Sequence, residues 1–299
     1  MKRQRIKYGE ERTLRLHSFQ NEDGSELLLL RSPALVAFPA LQHGFSTRFG
    51  GVSEGCFESM NLSFSRGDSE TCVRENFRRI AACFGQREDR FVLSFQTHTA
   101  NVRAVTEADL GKGVTRLRDY TDVDALITDR PGIILGVFWA DCVPILFYDP
   151  VRQAIGAAHS GWRGTAGKIG RETVRRMTEC YGSVPEDIRA VIGPSICRNC
   201  YEISEDVALC FREAFPGQEE RILREKHPEG VRQGTADRKY LLDLWEANRL
   251  VLREAGLPDR NIETGGLCTC CNPAWMFSHR GQGEERGNNG AFLMLADKE

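Results

Sequence analysis

The order of hydrophobic and polar positions along the chain predicts helices and strands in irregular alternation. Helical spacing over 70–84 puts Val73, Phe77 and Ile80 on one face. Similar spacing predicts helices over 166–181, 205–215 and 241–254. Short apolar runs bounded by turn residues predict strands at 26–31, 91–95, 101–105, 123–128, 133–140, 143–148, 154–158, 188–192 and 291–295. This mixture predicts an α/β (α+β) fold, a single domain with a mixed β-sheet flanked by helices.

Composition and charge exclude several classes of protein. The chain has 299 residues, of which 41% are hydrophobic and 27% charged, as in ordinary soluble globular proteins. Its 40 Lys and Arg nearly balance 42 Asp and Glu, so we expect no nucleic-acid partner and no membrane surface. No apolar segment follows the basic residues at the start, and the run 136–150 is too short to span a bilayer. We therefore expect a cytoplasmic protein whose 11 cysteines are reduced.

Cys142 and His159 stand where two apolar runs border polar residues. The run 136–150 contains Cys142, and the run 154–158 ends at His159. A turn at Asp149-Pro150 separates the runs, so pairing of the two strands would bring the thiol and the imidazole together. A cysteine and a histidine at the ends of buried strands suit either a zinc site or a nucleophile with its base.

His98 is the third residue of this candidate site. It follows the strand predicted at 91–95 and lies in a polar segment. Three protein ligands with an open position are typical of catalytic zinc, whereas structural zinc has four. The three positions are 44 and 17 residues apart and match no compact ligand spacing. From the residues alone, ordinary buried side chains therefore remain the alternative.

Several segments, in order along the chain, resemble the YfiH/YlmD family. They are His43-Gly-Phe-Ser-Thr-Arg48-Phe-Gly-Gly51, Ser59-Met-Asn61-Leu62, Gln96-x-His98, Ala140-Asp141-Cys142-x-Pro144, His159-Ser-Gly-Trp-Arg163-Gly164 and Ile192-Gly193-Pro194. The resemblance runs from about residue 41 to 295. It implies a YfiH-like catalytic domain over 31–299, preceded by a variable N-terminal segment over 1–30.

The resemblance also implies an activity. Members of this family were named polyphenol oxidases with laccase activity and later described as purine nucleoside phosphorylases with adenosine deaminase activity. We expect a zinc enzyme that converts adenosine or inosine and phosphate to the base and ribose 1-phosphate, with copper as a substitute metal. The family's metal site falls on His98, Cys142 and His159. Purine nucleosides and phosphate are then the expected partners.

The resemblance and the chemistry of the side chains together predict further site residues. Cys142 and Arg48 are the predicted catalytic residues, with Arg48 as the first candidate for holding phosphate. Asn61, Arg163 and Arg280 are the predicted substrate-binding residues. For Asn61 a turn residue, and for Arg163 a salt bridge at a helix start, remain the alternatives. A Thr-Gly-Arg often follows the position of Arg280 in the family, whereas this chain has Arg286-Gly-Asn-Asn-Gly.

A count of histidines argues against the oxidase name. A multicopper oxidase combines a thiolate copper centre with a trinuclear cluster, which together require roughly ten histidines. This chain has six, and none are arranged as His-x-His. We therefore expect polyphenol oxidation to be adventitious at most. Two alternatives stay open: a metal-free cysteine hydrolase using Cys142 and His159, and a non-catalytic zinc-stabilised module that binds nucleotides.

Two more groups of cysteines have metal-like spacing. They are Cys197-x-x-Cys200 and Cys268-x-Cys270-Cys271. Neither group is a known set of metal ligands in the family. We interpret them as buried thiols.

Overall fold

The structure, a computed structural model, describes residues 5–9, 13–226 and 238–296. The strands in these ranges are β1 Arg15–Gln20, β2 Glu26–Arg31, β3 Leu41–Ser46, β4 Phe91–Leu93, β5 Val102–Ala104, β6 Ala125–Thr128, β7 Ile134–Trp139, β8 Val143–Asp149, β9 Ala154–Ser160, β10 Arg189–Ile192, β11 Glu202–Ser204, β12 Leu223–Lys226, β13 Lys239–Leu242, β14 Ile262–Thr264 and β15 Asn289–Leu295. The helices are α1 Pro33–Val36, α2 Glu70–Cys83, α3 Trp162–Ala166, α4 Ile169–Tyr181, α5 Glu205–Ala214, α6 Glu219–Ile222, α7 Leu244–Glu254 and α8 His279–Gln282.

Within the described ranges, the strands form two sheets of six and one of three. The first sheet has the order β1-β2-β3-β15-β7-β4, and the second has the order β14-β10-β8-β9-β6-β5. Both sheets are mixed, because β4 and β7, β10 and β14, and β5 and β6 pair in parallel while the other neighbours are antiparallel. The small sheet β11-β13-β12 is antiparallel throughout.

The two large sheets pack face to face between helices. Residues such as Phe45 and Leu135 of the first sheet share a buried cluster with Leu146 and Ile155 of the second. The outer face of the first sheet packs on α2, and that of the second packs on helices that include α4 and α7. Strands β8 and β9 are therefore buried on both faces, which explains why their sequences are continuous apolar runs.

The predicted fold class is confirmed. The helices predicted over 70–84 and 205–215 and the nine predicted strands are present, with ends shifted by a few residues. Where the pattern indicated one mixed sheet, the strands are divided between two that face each other. The segment 166–181, predicted as one helix, contains the end of α3 and all of α4. In the segment 241–254, also predicted as one helix, the first two residues belong to β13 and the helix α7 begins at Leu244. Strands β1, β3 and β14 and the small sheet were not predicted. In β1, β11 and β12 the residues are largely polar or half-buried, so they form no apolar run.

The N-terminal strands join the first sheet. β1 pairs with β2, and β2 pairs with β3, so residues 15–31 belong to the same sheet as the segments that carry the family motifs. Residues 1–4, 10–12 and 297–299 lie outside the described residues. The division at residue 30 stays a prediction. In the described ranges, every helix is too short or too polar to cross a membrane.

Candidate metal centre and adjoining cleft

Cys142 lies in the tight connection between β7 and β8. The preceding residue, Asp141, has a φ of 92°, in the left-handed region that non-glycine residues rarely adopt. Its carboxylate accepts hydrogen bonds from Thr269 Oγ1 at 2.6 Å and from the Arg280 N–H at 2.6 Å. These two bonds hold the turn, so the position of the Cys142 thiol is fixed by residues near the end of the chain.

His159 and His98 approach Cys142 from two other elements. His159 is on β9, where it pairs in register with Pro144, two residues after the cysteine. His98 lies in the segment that follows β4 and has a φ of 66°. The Cys142 Sγ is 3.9 Å from His98 Nε2, and the two imidazole rings are 4.9 Å apart. One donor atom from each of the three residues lies within 4.8 Å of the others. The structure thus brings the three predicted ligands together.

Asp124, a residue that the sequence did not reveal, organises both histidines. It is fully buried. Its carboxylate lies 2.9 Å from His159 Nδ1 and accepts hydrogen bonds from the N–H groups of Thr97, His98 and Thr99. A carboxylate accepts at every one of these positions, so His159 carries a proton on Nδ1, and Nε2 is the nitrogen that can bind a metal ion. The same carboxylate fixes the backbone of the His98 segment.

The charges of this group favour a thiolate. Burial by itself would raise the pKa of Cys142, but the charge of His159 and hydrogen bonds with both histidines lower it to about 6. Burial by itself would lower the pKa of His159, but Cys142 and Asp124 raise it to about 9. The pKa of Asp124 is also lowered, because its hydrogen bonds outweigh its burial. Without a metal, the cluster therefore favours a thiolate beside a protonated His159. A metal ion binds a thiolate and a neutral imidazole, so its binding would release the proton of Nε2.

Gly161 leaves the space that the cluster occupies. A Cβ atom at this position would lie 2.8 Å from His98 Cδ2 and 3.1 Å from Cys142 Sγ. The first distance is shorter than side-chain packing allows and the second is unusually tight, so a larger residue here would push on both candidate ligands. The lack of space beside His98 and Cys142 therefore explains why the His-Ser-Gly-Trp motif has a glycine at this position.

A cleft of about 540 Å³ opens onto the cluster. His98, Cys142 and His159 all line it. Four aromatic side chains contribute to its walls: Phe64, Phe95, Phe138 and Trp139. Aromatic walls beside a few polar groups are typical of sites for flat organic ligands.

Guanidinium groups line the same cleft. Arg286 is only 5% exposed, and its Nε has no hydrogen-bond partner among the described residues. Burial and the nearby Arg66 lower the pKa of Arg286, and the charges of Asp141, Glu284 and Cys142 offset this only in part. Arg66 and Arg118 also line the cleft, although Arg66 pairs with Glu284 at 2.9 Å. This distribution suits an anion more than a neutral group.

Arg48 and Asn61, two of the predicted site residues, do not line the cleft. The Arg48 guanidinium donates to the carbonyls of Glu58 and Pro273 and stacks over the Phe277 ring. Asn61 is fully buried, and its amide makes hydrogen bonds to Ser63, Asp68 and Asn288. Through these contacts, Arg48 and Asn61 stabilise the loops to which they are bonded. Their predicted roles with phosphate and substrate remain predictions.

Arg163 and Arg280 lie on another side of the cluster, near Tyr201. Burial and the charge of Cys142 raise the pKa of Tyr201, and both arginines oppose that rise. The Arg163 side chain is stacked on Trp162 at 4.2 Å. The Arg280 side chain donates to the carbonyls of Cys200 and Glu202. Neither residue lines the cleft, and their predicted substrate binding is untested.

Asp124 and Arg286 are the candidate site residues that the sequence did not single out. Asp124 directly precedes an apolar strand, where a carboxylate is costly to bury unless it has partners. This position was the one signal for Asp124 that the sequence offered. Arg286 stands where the family pattern is broken, so the resemblance gave it no role. Only the folded chain places its guanidinium beside the cluster.

Comparison with known proteins now identifies the family. The family model described as multi-copper polyphenol oxidoreductase laccase matches residues 42–296. Purine nucleoside phosphorylase YlmD of Bacillus subtilis is 39% identical over 258 residues, which cover 85% of this chain and 88% of that protein. Adenosine deaminase RL5, from an unknown prokaryotic organism, is 33% identical over 81% of this chain and 90% of its own length.

A solved structure agrees with these relatives. The crystal structure of the Bacillus licheniformis hypothetical protein YfiH has a TM-score of 0.81 and 35% identity, covering 89% of this chain and 96% of that one. The chain therefore belongs to the laccase-domain family that contains YfiH and YlmD, and the resemblance seen in the sequence is confirmed.

Proposed function

We propose that this chain is a zinc-dependent purine nucleoside phosphorylase that converts adenosine or inosine and phosphate to the free base and ribose 1-phosphate. The observation that carries the proposal is the cluster of His98, Cys142 and His159 at a cleft with both aromatic and guanidinium walls. A relative that matches most of the chain is named a purine nucleoside phosphorylase. The site has aromatic side chains that suit the purine base and arginines that suit phosphate.

The donor set fits zinc. Two imidazole nitrogens and a thiolate are ligands that zinc prefers, and three protein ligands leave a position for a substrate or water oxygen. When bound, the ion would supply positive charge that polarises a coordinated oxygen or acidifies a bound water. Asp124 supports the ligand role of His159 by holding the proton on Nδ1. A thiolate also binds copper, so metal analysis decides which ion is present.

The aromatic walls suit the purine. Phe64 stacks on Phe77 with ring centroids 5.5 Å apart, which fixes one wall. Phe95 and Phe138 line the same cleft. Stacking of a nucleobase on an aromatic side chain stabilises binding by about 1–3 kcal/mol. These rings would hold the base while its bond to the ribose breaks.

The arginines suit phosphate. Attack on the ribose needs a phosphate held beside the sugar, with its charge balanced by fixed donors. Arg286 supports this role best, because it is buried, lines the cleft and has an unused N–H among the described residues. Arg66 and Arg118 would add positive charge at the cleft. Arg48 remains a candidate only if its hydrogen bonds to Glu58 and Pro273 open.

Adenosine deamination is proposed as a side activity. Both reactions bind a purine nucleoside, so they require the same aromatic walls, but deamination uses water at the base and needs no phosphate. A relative covering 81% of this chain is named an adenosine deaminase. Loss of the phosphate-binding arginine should therefore separate the two reactions.

One observation favours the hydrolase alternative. Cys142, His159 and Asp124 have the order of a nucleophile, a base and the acid that orients it. Such a triad does not need His98, whose Nε2 is 3.9 Å from the thiol. A metal-free hydrolase would therefore tolerate His98→Ala, whereas a zinc enzyme would lose its metal.

The test is turnover of a nucleoside panel with and without phosphate, alongside metal analysis. The wild-type protein should bind zinc and release base from adenosine or inosine when phosphate is present. His98→Ala should lose turnover together with the zinc ion at the cleft, while Cys142→Ser should lose that same ion because an alcohol is a poor zinc ligand. Full activity in metal-free protein would support the hydrolase. A zinc protein that binds nucleosides without turnover would support the non-catalytic module.

A further inference from the structure

Four cysteines outside the cleft meet where two loops leave the second sheet. β10 and β14 are parallel neighbours, so the loops that follow them start at the same edge. The first loop carries Cys197 and Cys200, and the second carries Cys268 and Cys271. Their four Sγ atoms all lie within 4.8 Å of one another. The sequence predicted buried thiols here, but only Cys268 is classed as buried, and the four form one cluster.

The backbone of the two loops presents these sulfur atoms. The N–H of Cys200 donates to the Cys197 carbonyl at 3.0 Å, which closes the first loop into a tight turn. The Cys268 Sγ accepts from the N–H groups of Cys197 at 3.3 Å and Cys271 at 3.4 Å. Backbone N–H groups that point at a sulfur atom stabilise its thiolate form. The Cys268-x-x-Cys271 pair thus has the local geometry of a metal-binding turn, and Cys197-x-x-Cys200 has the same spacing.

The distances suit one ion. A tetrahedral ion with metal–sulfur bonds of about 2.3 Å separates its sulfur ligands by about 3.8 Å. Cys200 Sγ and Cys271 Sγ are 3.4 Å apart, which is far beyond a disulfide bond of about 2.05 Å. A cluster containing several metal ions would spread the sulfur atoms more widely than the observed separations.

We propose that Cys197, Cys200, Cys268 and Cys271 bind one zinc ion in a closed tetrathiolate site. Four protein ligands leave no open position, so the ion is structural. A cavity of about 880 Å³ borders Cys197, Cys268 and Cys271 and provides a path for the ion from solvent. The site is independent of the proposed function, because it shares no ligand with the cluster at the cleft.

The ion would tie the second loop to the active-site turn. Thr269 lies between Cys268 and Cys271, and its hydroxyl donates to Asp141, the neighbour of Cys142. The Arg280 guanidinium donates to the Cys200 carbonyl at 3.4 Å while its backbone N–H donates to Asp141. Loss of the ion should therefore loosen the turn that presents Cys142, in addition to destabilising the fold.

The first experiment counts zinc in full-length protein purified with zinc and a reductant. The wild type should contain about two zinc ions per chain, one for each site. Cys271→Ser should lose one of them. The matched control is Cys270→Ser, which removes a thiol from the same loop but outside the cluster, and it should lose none. His98→Ala should lose the other ion, so the two proposals fail separately.

The second experiment avoids variants that change the cluster. The zinc X-ray absorption edge of His98→Ala should give about four sulfur ligands per zinc, since only the tetrathiolate site remains filled. Replacement of that zinc by cobalt should give the intense thiolate-to-metal absorption of tetrahedral cobalt. His98→Ala protein free of zinc, a site filled by iron, or a Cys200–Cys271 disulfide in the reduced preparation would overturn the proposal.

Discussion

His159 Nδ1 and Asp124 Oδ1 lie 2.9 Å apart in the buried interior between β9 and the start of β6. Because this carboxylate also accepts from three backbone N–H groups of the His98 segment, one side chain orients two of the three candidate metal ligands. The cluster is therefore pre-organised by a residue that need not touch the metal or the substrate.

Asp124→Asn should weaken zinc binding at the cleft by about 10- to 100-fold. An amide can accept from some of the same donors, but it removes the charge that favours the Nδ1–H form of His159 and its NH₂ group meets N–H groups. The measurement is zinc affinity by competition with a chromogenic chelator. Asp122→Asn is the matched control, because Asp122 is exposed and bonds to the Thr97 hydroxyl. Equal affinities in the two variants would remove Asp124 from the account.

Gly161→Ala should empty the metal site while the fold survives. Its Cβ would lie 2.8 Å from His98 Cδ2 and 3.1 Å from Cys142 Sγ, so the ligands must move apart. Overpacking of this kind costs about 1–3 kcal/mol in stability, which a domain of this size tolerates. Zinc content and circular dichroism of the variant check both parts. Normal zinc occupancy at the cleft would show that the ligands are placed differently.

Cys142 should become reactive at unusually low pH once the metal is removed. Its pKa is lowered to about 6 by His159 and His98, so the thiolate forms as the pH rises through about 6, well below the pH at which an ordinary cysteine ionises. Mass spectrometry of the alkylated peptide at a series of pH values gives the midpoint directly. Zinc should protect the residue at every pH in the series. A midpoint near 8.5, the value of a free cysteine, would contradict the described charge arrangement.

Arg286→Gln should lower kcat/KM for phosphorolysis by about 100-fold, because a charge-assisted contact with phosphate stabilises the transition state. Deamination should fall much less, since it uses no phosphate. Arg286→Lys should recover only part of the rate, because an ammonium cannot grip two oxygens.

Arg48→Gln is the informative comparison for this prediction. Arg48 donates to two backbone carbonyls and does not line the cleft, so its loss should lower thermal stability and affect both reactions alike. A selective loss of phosphorolysis in Arg48→Gln, with Arg286→Gln unaffected, would return the phosphate role to the residue that the family resemblance favoured.

The sequence predicted the main elements and the three candidate ligands because each leaves a local signal. Cys142 and His159 interrupt or end apolar runs, and the hairpin of β8 and β9 follows from those runs and the turn between them. The packing of two sheets face to face has no comparable signal. A strand that is buried on both faces has the same continuous apolar sequence whether a helix or another sheet covers it.

Residues that act from a distance were harder to find. Asp124 is one carboxylate at the start of a strand, and only the fold shows five donors around it. Cys197 and Cys268 are 71 positions apart, so their meeting depends on the parallel pairing of β10 and β14. Arg286 departs from the family pattern, and its place beside Cys142 depends on the loop before β15.

The most direct test of the proposed phosphorylase follows both products of one reaction. Zinc-loaded protein is incubated with inosine and phosphate, and hypoxanthine and ribose 1-phosphate are measured over time. The account predicts equal amounts of the two products, no base release without phosphate, and loss of both products in His98→Ala. Release of hypoxanthine with free ribose and no ribose 1-phosphate, or an undiminished rate in His98→Ala, would contradict it.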